Sequence, residues 1–261
     1  MEDSSQIDAE RDRQRRAWRP RAMPGIGVEL SPTQKMACAF RILARLDFSE
    51  NLAGHITWAP DASGDMWVNP WGLWWSEVSA SDVCRVNTDG EVLEGRWDVT
   101  PAIHLHTELH RRRPDARVVV HNHPYYVTVL AGLGLLPEIL HQTGCMYADD
   151  LAFINEYNGE IDDAQLGADL AVSIGEASVV VLANHGVVVT GSTVEEAVYR
   201  AANFERVCRL DFETRLLAAD PLHIPHEVQK ALKTTLLERA PEIYWAGSVR
   251  QLLRHEPDVL D

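Results

Sequence analysis

Three short runs of β-branched residues constrain the fold of this chain more than any other feature of its sequence. They are Arg117–Val120, Val179–Ala183 and Val187–Thr190. A strand with one face in water alternates apolar and polar residues, whereas a strand without that alternation is typically buried on both faces. Because helical patterns precede and follow these runs along the chain, we expect an α/β fold with helices on the faces of a central sheet.

Capping patterns mark where two of the helices begin. Ser31-Pro32-Thr33-Gln34 places a serine N-cap before a proline and a glutamine three residues on, which predicts a helix to about Leu46. Ser192-Thr193-Val194-Glu195 predicts a second helix, to about Ala218. Helices are also expected at about 101–113 and 226–239, and short strands at 54–58, 66–69, 84–86 and 91–93.

Length and charge limit the domain organisation and the partners. The chain has 261 residues, with 24 Lys and Arg against 39 Asp and Glu, a net charge of −15. This length suits one sizeable α/β domain, and the acidic surface repels a phosphate backbone, so we expect no nucleic-acid partner. The predicted divisions are a flexible basic N-terminal arm at 1–28, a domain at 29–220, and a C-terminal helix with a loose acidic tail at 221–261.

Cysteine usage and the N-terminal residues indicate a cytoplasmic protein. The four cysteines lie far apart without a CxxC pair, which fits neither a disulfide framework nor a thiolate zinc site. Six arginines in the first thirty residues have no apolar run behind them, and no stretch is long enough to cross a bilayer. We expect no signal peptide and no membrane partner.

Histidines follow two of the predicted strands. His121 and His123 come directly after the first valine run, and residues two apart on an extended backbone point to the same side. His185 follows the second run and precedes a glycine that permits a tight turn. Three imidazoles suit a divalent cation with open positions for substrate or water. The HxH pair alone fits a structural role equally well, and the third histidine favours the metal.

A second HxH pair, His104 and His106, lies on a predicted helix. Helical residues two apart point in different directions, so at most one of the pair faces the site. His110 lies on the same helix face as His106, and we expect it at the surface.

Motifs in a fixed order between Ser31 and Ala219 resemble the class II aldolase/adducin family. They are Gly-His-Ile-Thr at 54–57, Val-Asn-Pro-Trp-Gly at 68–72, Ser-Asp-Val at 81–83, Thr-Asp-Gly at 88–90, His106 with Arg-Pro-Asp-Ala at 113–116, His-Asn-His-Pro at 121–124, and Asn-His-Gly at 184–186. The resemblance implies a three-layer αβα fold with a central mixed or antiparallel sheet. It also implies a homotetramer with sites between subunits.

The resemblance further implies the ligands and the residues around them. Zinc is the expected metal, with manganese or iron as alternatives, bound by His121, His123 and His185. Residues expected at the catalytic and substrate positions are His106, Gln142 and Tyr147 for catalysis, and Gly54, Asn69, Trp71 and Gly72 for substrate binding.

Two departures from the family pattern argue against a sugar-phosphate substrate. The family's Ser-Ser-Glu stretch, whose glutamate is a metal contact and general base, reads here Thr100-Pro101-Ala102. The family's phosphate cradle reads here with a histidine at 55 and a tryptophan at 71, in place of small donors. Loss of the base favours decarboxylation or a related cleavage, because carbon dioxide leaves without prior deprotonation of a hydroxyl.

Four tryptophans, at positions 67, 71, 74 and 75, crowd one short segment. Such a group suits a pocket that stacks on a planar ring, and it suits core or interface packing equally well.

The sequence therefore predicts an enzyme, a metal-dependent carbon–carbon lyase of the aldolase or decarboxylase type. Its expected substrate is a small, non-phosphorylated hydroxy- or oxo-acid, aromatic acids among them, cleaved through a metal-stabilised enolate. One alternative is an Fe(II) oxygenase or decarboxylase of an aromatic keto acid on the same three histidines. The other is a non-catalytic, adducin-like assembly module, against which the three retained ligands argue.

Overall fold

Strands and helices alternate along the part of the chain described by this computed structural model, residues 22–156, 159, 163–217 and 220–261. The helices are α1 Pro32–Ala44, α2 Ile103–Arg112, α3 Tyr125–Leu133, α4 Ala164–Ile174, α5 Val194–Leu216 and α6 His226–His255. The strands are β1 His55–Trp58, β2 Met66–Val68, β3 Cys84–Val86, β4 Val92–Glu94, β5 Val118–Asn122, β6 Leu151–Ile154, β7 Val179–Leu182 and β8 Val187–Gly191. Short 3₁₀ segments lie at Ala80–Asp82, Gln142–Tyr147 and Pro257–Leu260.

The eight strands form one sheet in the order β4-β3-β2-β1-β5-β8-β7-β6. Only β6 and β7 pair in parallel, and the other described neighbours are antiparallel. The predicted α/β fold with a mixed central sheet is confirmed.

The valine runs are buried on both faces because a different helical layer covers each side. Val118 and Val120 of β5 pack in the cluster that contains α1, α3, α5 and α6, whereas Val119 packs with Leu105 of α2 and Ala171 of α4. Successive side chains of a strand point to opposite faces, so a run of valines supplies both contacts at once. This arrangement confirms the three-layer architecture.

Strand β5 is longer than the sequence predicted. It extends through Asn122, so His121 lies inside the sheet, paired with His55 of β1 on one side and Val188 of β8 on the other. By the two-residue period, His121 and Val119 share the face that α2 and α4 cover.

The caps show how closely the helix starts were predicted. Ser31 caps α1 with the expected capping box to Gln34. At α5 the cap is Thr193, whose side chain accepts a hydrogen bond from the backbone N–H of Glu196. The second capping pattern therefore lies one residue later than predicted.

The prediction of a helix at 226–239 followed by a loose tail is wrong. Helix α6 continues across Pro241 to His255 and buries Trp245, Val249 and Leu252. After it, Val259 is also buried, and Arg41 forms ion pairs with Glu256 and Asp258. An interior proline costs helix stability, and this buried apolar face offsets the cost.

Most of the predicted N-terminal arm, residues 1–21, lies outside the described residues. Residues 22–28 have no helix or strand, and Arg250 donates a hydrogen bond of 2.6 Å to the carbonyl of Pro24. Among the described helices, none has both the length and the apolar character needed to cross a bilayer.

Burial of α6 makes a stability prediction. Replacing Leu252, which is 0% exposed, by alanine should lower the free energy of unfolding by about 2–5 kcal/mol, because it leaves a cavity in the main core. Leu222, 94% exposed, is the matched control, and its alanine variant should stay within about 0.5 kcal/mol of the parent. Urea denaturation measures both, and equal midpoints would contradict the packing of α6.

Candidate metal centre and its cavity

Three histidines converge at the end of β5 and the turn between β7 and β8. One ring nitrogen from each of His121, His123 and His185 lies within 4.8 Å of the others. The ring centroids are 4.8–5.1 Å apart. Imidazole nitrogens at this spacing can share one divalent cation. The structure thus brings together the three residues predicted as ligands.

Hydrogen bonds fix which nitrogens of these rings face inward. His121 donates from Nδ1 to the carbonyl of Val187 at 3.0 Å, and His123 Nδ1 lies 2.6 Å from a carboxylate oxygen of Glu50. The remaining atom, His123 Nε2, is buried and has no hydrogen-bond partner. A buried lone pair left in this way, on a ring held by a carboxylate, is the arrangement found at metal ligands. The residues present therefore fit a bound metal.

The sequence gives no indication that Glu50 belongs to the site. It lies 73 residues before His123 in a segment with no periodic pattern, so no local signal connects it to the site.

Two of the three rings, those of His121 and His185, are held in the neutral form that binds metals. Burial and the neighbouring imidazoles of His55, His185 and His123 lower the pKa of His121 well below its usual value. Burial, together with the nearby His123, lowers the pKa of His185 to about 4.

Backbone geometry explains the Asn-His-Gly motif. Asn184 adopts a left-handed conformation, with φ of 53°. A Cβ atom on Gly186 would lie 2.4 Å from the carbonyl oxygen of Asn122 and 2.5 Å from Cδ2 of His123. Only glycine permits the turn to approach the ligand ring so closely.

A cavity of about 290 Å³ opens beside the three histidines. The predicted substrate residues Gly54, Asn69 and Trp71 line it, and Gly72 does not. Ala102 also lines it, so the position of the family's glutamate faces the cavity with a methyl group. The lining residues are Leu52, Ala53, Gly54, His55, Asn69, Trp71, Thr100, Pro101, Ala102, Leu105, His121, His123 and His185.

Gly54 and Asn69 hold the first residues of β1 in place. Gly54 has φ of +93°, and a Cβ there would lie 2.9 Å from the ring of Trp75. The side chain of Asn69 accepts a hydrogen bond from the backbone N–H of Ile56 and donates one to the carbonyl of Gly54. These contacts position the neighbouring His55 at the cavity wall.

The four tryptophans support both predicted roles, a ligand pocket and core packing. Trp71 lines the cavity and is 62% exposed, whereas Trp75 is buried against Phe40. Trp67 is half-buried beneath Arg85, and Trp74 is exposed.

Gln142 and Tyr147 do not reach the cavity. Tyr147 is buried in the main core, where its hydroxyl donates a hydrogen bond of 2.6 Å to the carbonyl of Arg200. Its ring packs against Phe204, and burial raises its pKa well above the usual value. Gln142 is exposed at the start of a 3₁₀ segment and is absent from the described cavity lining. The geometry therefore gives Tyr147 a packing role, because core contacts occupy both its ring and its hydroxyl.

His106 belongs to a buried row of polar side chains that leads away from the cavity. Its Nε2 lies 2.9 Å from Nδ1 of His55, and its Nδ1 lies 2.7 Å from the hydroxyl of Thr57. The same hydroxyl lies 2.7 Å from Nε2 of His110. We call these four residues the histidine row. His110 is half-buried, so the expectation of a surface position for it is wrong.

All three imidazoles of the row are neutral at pH 7. Burial lowers the pKa of His55 and His106 well below the usual value, helped by neighbouring imidazoles. Burial also lowers the pKa of His110 to about 4.

The sequence matches the family model described as the Class II Aldolase and Adducin N-terminal domain over residues 34–212. The chain belongs to this family, as the ordered motifs predicted.

Relatives in the family carry different functional descriptions. Decarboxylase NovR of Streptomyces niveus is 30% identical over 74% of this chain and 73% of its own length. A 4-hydroxy-3-prenylphenylpyruvate oxygenase/4-hydroxy-3-prenylbenzoate synthase of Streptomyces roseochromogenus subsp. oscitans is 31% identical over 74% of this chain and 71% of its own length. Human beta-adducin is 28% identical over 82% of this chain, which matches only 30% of the adducin.

A solved structure supports the fold. The L-fuculose 1-phosphate aldolase of Glaciozyma antarctica aligns with a TM-score of 0.77 at 23% identity, covering 93% of this chain and 97% of the aldolase.

The close approach at Gly186 predicts a metal-binding defect. Gly186→Ala should displace His123 and weaken the binding of an added divalent cation at least about tenfold, since shifted ligands lose affinity. Gly132→Ala is the matched control, because a Cβ at Gly132 meets nothing within 4 Å. Competition with a chromophoric chelator measures both, and unchanged affinity in Gly186→Ala would remove His123 from the ligand set.

The lowered pKa of His110 predicts acid-sensitive stability. With a folded pKa of about 4 and an unfolded value near 6.5, the unfolded state binds more protons between those values. The contribution of neutral His110 to the free energy of unfolding of the metal-free protein should therefore be complete above pH 6.5. The free energy of unfolding should decrease as the pH falls toward 4. Urea denaturation at several pH values checks this, and His110→Phe should show a shallower decrease. An identical slope in the two proteins would contradict a neutral, buried His110.

Proposed function

We propose that this protein is a divalent-metal-dependent carbon–carbon lyase for small, non-phosphorylated hydroxy- or oxo-acids, aromatic acids among them. The observation that carries the proposal is the buried, unpartnered Nε2 of His123, which lies beside nitrogens of His121 and His185 at the wall of a cavity. A divalent cation bound there would polarise a carbonyl or carboxylate oxygen and stabilise negative charge as a bond to carbon breaks.

The walls of the cavity support a non-phosphorylated acid. No lysine or arginine is among the described residues that line it, so a phosphate dianion would find no paired side-chain charge. The volume of about 290 Å³ suits a small ligand. The exposed indole of Trp71 offers a flat apolar surface for a planar group.

The methyl group of Ala102 supports decarboxylation over aldol cleavage. An aldol cleavage needs a base for the substrate hydroxyl, and the family's carboxylate is missing at this wall of the cavity. Loss of carbon dioxide needs no such base. The similarity to a protein described as a decarboxylase agrees with this choice.

We also propose zinc as the metal, because a set of three imidazole ligands suits it. A cytoplasmic location agrees with four buried free thiols. A homotetramer agrees with large apolar side chains that are exposed, among them Trp71 at the cavity and Tyr125 and Leu133 on α3, which are 61–67% exposed.

A second candidate is an Fe(II) oxygenase of an aromatic keto acid, favoured by the similarity to the oxygenase/synthase. Three histidines with open positions also suit iron. Oxygen consumption during turnover by anaerobically purified, iron-loaded protein distinguishes this candidate from a lyase.

Replacement of His123 tests the proposal. The parent should bind one zinc per chain and release carbon dioxide from one or more members of a panel of aromatic and aliphatic hydroxy- and oxo-acids. His123→Ala should lose both the metal, seen by elemental analysis, and at least about 99% of the turnover, because the ligand set is broken. His226→Ala removes an exposed histidine that bonds Asp149 and serves as the matched control.

Two results would contradict the lyase proposal. One is a His123→Ala protein with full metal content and full turnover. The other is a parent protein that carries no stoichiometric metal and whose properties do not depend on these histidines, which would favour an adducin-like assembly role.

A further inference from the structure

The histidine row ends at a backbone group that fixes its direction. His110 makes a hydrogen bond with the backbone of Ala116, and this bond opposes the larger lowering of the His110 pKa by burial. A bond that raises the pKa of a histidine is one in which the ring donates, so the backbone carbonyl of Ala116 accepts. Because Nε2 of His110 lies against Thr57 at 2.7 Å, the donating atom is Nδ1. A neutral histidine has one ring proton, and Nε2 of His110 is therefore an acceptor.

The remaining protons of the row follow from this acceptor. The Thr57 hydroxyl has a single proton and donates it to Nε2 of His110, so its oxygen accepts from Nδ1–H of His106. His106 then has a lone pair at Nε2, which accepts from Nδ1–H of His55, 2.9 Å away. His55 is left with a lone pair at Nε2, and its ring is part of the cavity wall.

We propose that the histidine row holds His55 in the tautomer whose Nε2 accepts a hydrogen bond, so that His55 selects a substrate hydroxyl beside the metal centre. The proposal rests on the proposed function for the metal centre and names its substrate class as hydroxy-acids. His55 is the substrate-binding residue, and His106, Thr57 and His110 are positioning residues. No member of the row changes its charge.

Selection follows from which groups can donate to a neutral acceptor. A hydroxy-acid offers an O–H to Nε2 of His55, whereas the matching oxo-acid presents a carbonyl lone pair to the same lone pair. A site built to bond a hydroxyl discriminates strongly against an analogue that lacks it. Nε2 of His55 also lies outside the group of nitrogens within 4.8 Å, which leaves it to the substrate.

The tautomer is measured first, without metal or substrate. Solid-state ¹⁵N spectra of metal-free protein labelled at the histidine rings distinguish protonated from unprotonated ring nitrogens, and His55→Asn identifies the His55 signals among the eleven histidines. We expect Nδ1 of His55 to be protonated and Nε2 unprotonated. A proton on Nε2 in the parent protein would overturn the proposal.

A substitution remote from the cavity tests the direction of the row. In His110→Phe the Thr57 hydroxyl loses its acceptor and can donate only to His106, so the row reverses and the His55 proton moves to Nε2. His104→Phe, on the same helix and outside the row, is the matched control and should leave the His55 signals unchanged. Thr57→Val should interrupt the row, and Thr57→Ser should restore it. If His110→Phe fails to fold, Thr57→Val and Thr57→Ser together test whether the row sets the tautomer of His55.

Ligand binding measures the consequence. Calorimetry on zinc-loaded protein should show tighter binding of mandelate than of phenylglyoxylate, a hydroxy- and oxo-acid pair with the same ring and carboxylate. This preference should fall about tenfold in His110→Phe, the size of one hydrogen bond, and remain in His104→Phe. An equal preference in both variants, or no binding of mandelate by the parent, would remove His55 as a hydroxyl acceptor. Neither the spectra nor the calorimetry uses turnover. A failed lyase assay would therefore contradict the proposed function without deciding whether His55 accepts a substrate hydroxyl.

Discussion

Burial of β5 on both of its faces is the constraint on which the rest of the structure depends. Valines alternate into two cores, so the register of the strand is fixed and a shift by one residue would move every side chain to the wrong layer. The same register sets the direction of His121, which follows Val119 on the face of α2 and α4. The packing of this strand in both cores and the placement of His121 therefore come from one continuous segment.

Much of the fold was predictable because local and long-range signals agree. The valine runs indicated buried strands, and Ser31 marked the start of α1 within one residue. The extension of α6 past Pro241 was not predictable from local rules, because they stop helices at proline while tertiary burial of Trp245 and Leu252 stabilises this one. Helix α3 and strand β6 were missed because their sequences contain no strong N-capping or periodic signal. Helix α4 was missed although Asp163 caps it, with a side chain that accepts a hydrogen bond from the backbone N–H of Leu166.

The candidate site was also predictable only in part. His121, His123 and His185 were found because strand ends in one sheet bring their side chains together. Glu50 and the histidine row were not found, since contacts across 49–73 residues leave no trace in spacing. Tyr147 was expected at a catalytic position from the family resemblance. Its burial in the main core shows that a resemblance in sequence does not fix which side of the sheet a residue occupies.

Glu50 has a consequence of its own. Its carboxylate is 53% exposed although it holds Nδ1 of His123, a ring whose other nitrogen is buried. One edge of the candidate metal centre is thus connected to bulk solvent through this carboxylate. Dissolved salt screens an exposed charge such as this carboxylate far more than a buried one. The electron-donating strength of His123 would then follow ionic strength and whatever molecule shields that loop, while His121, tied to a backbone carbonyl inside the sheet, would stay constant.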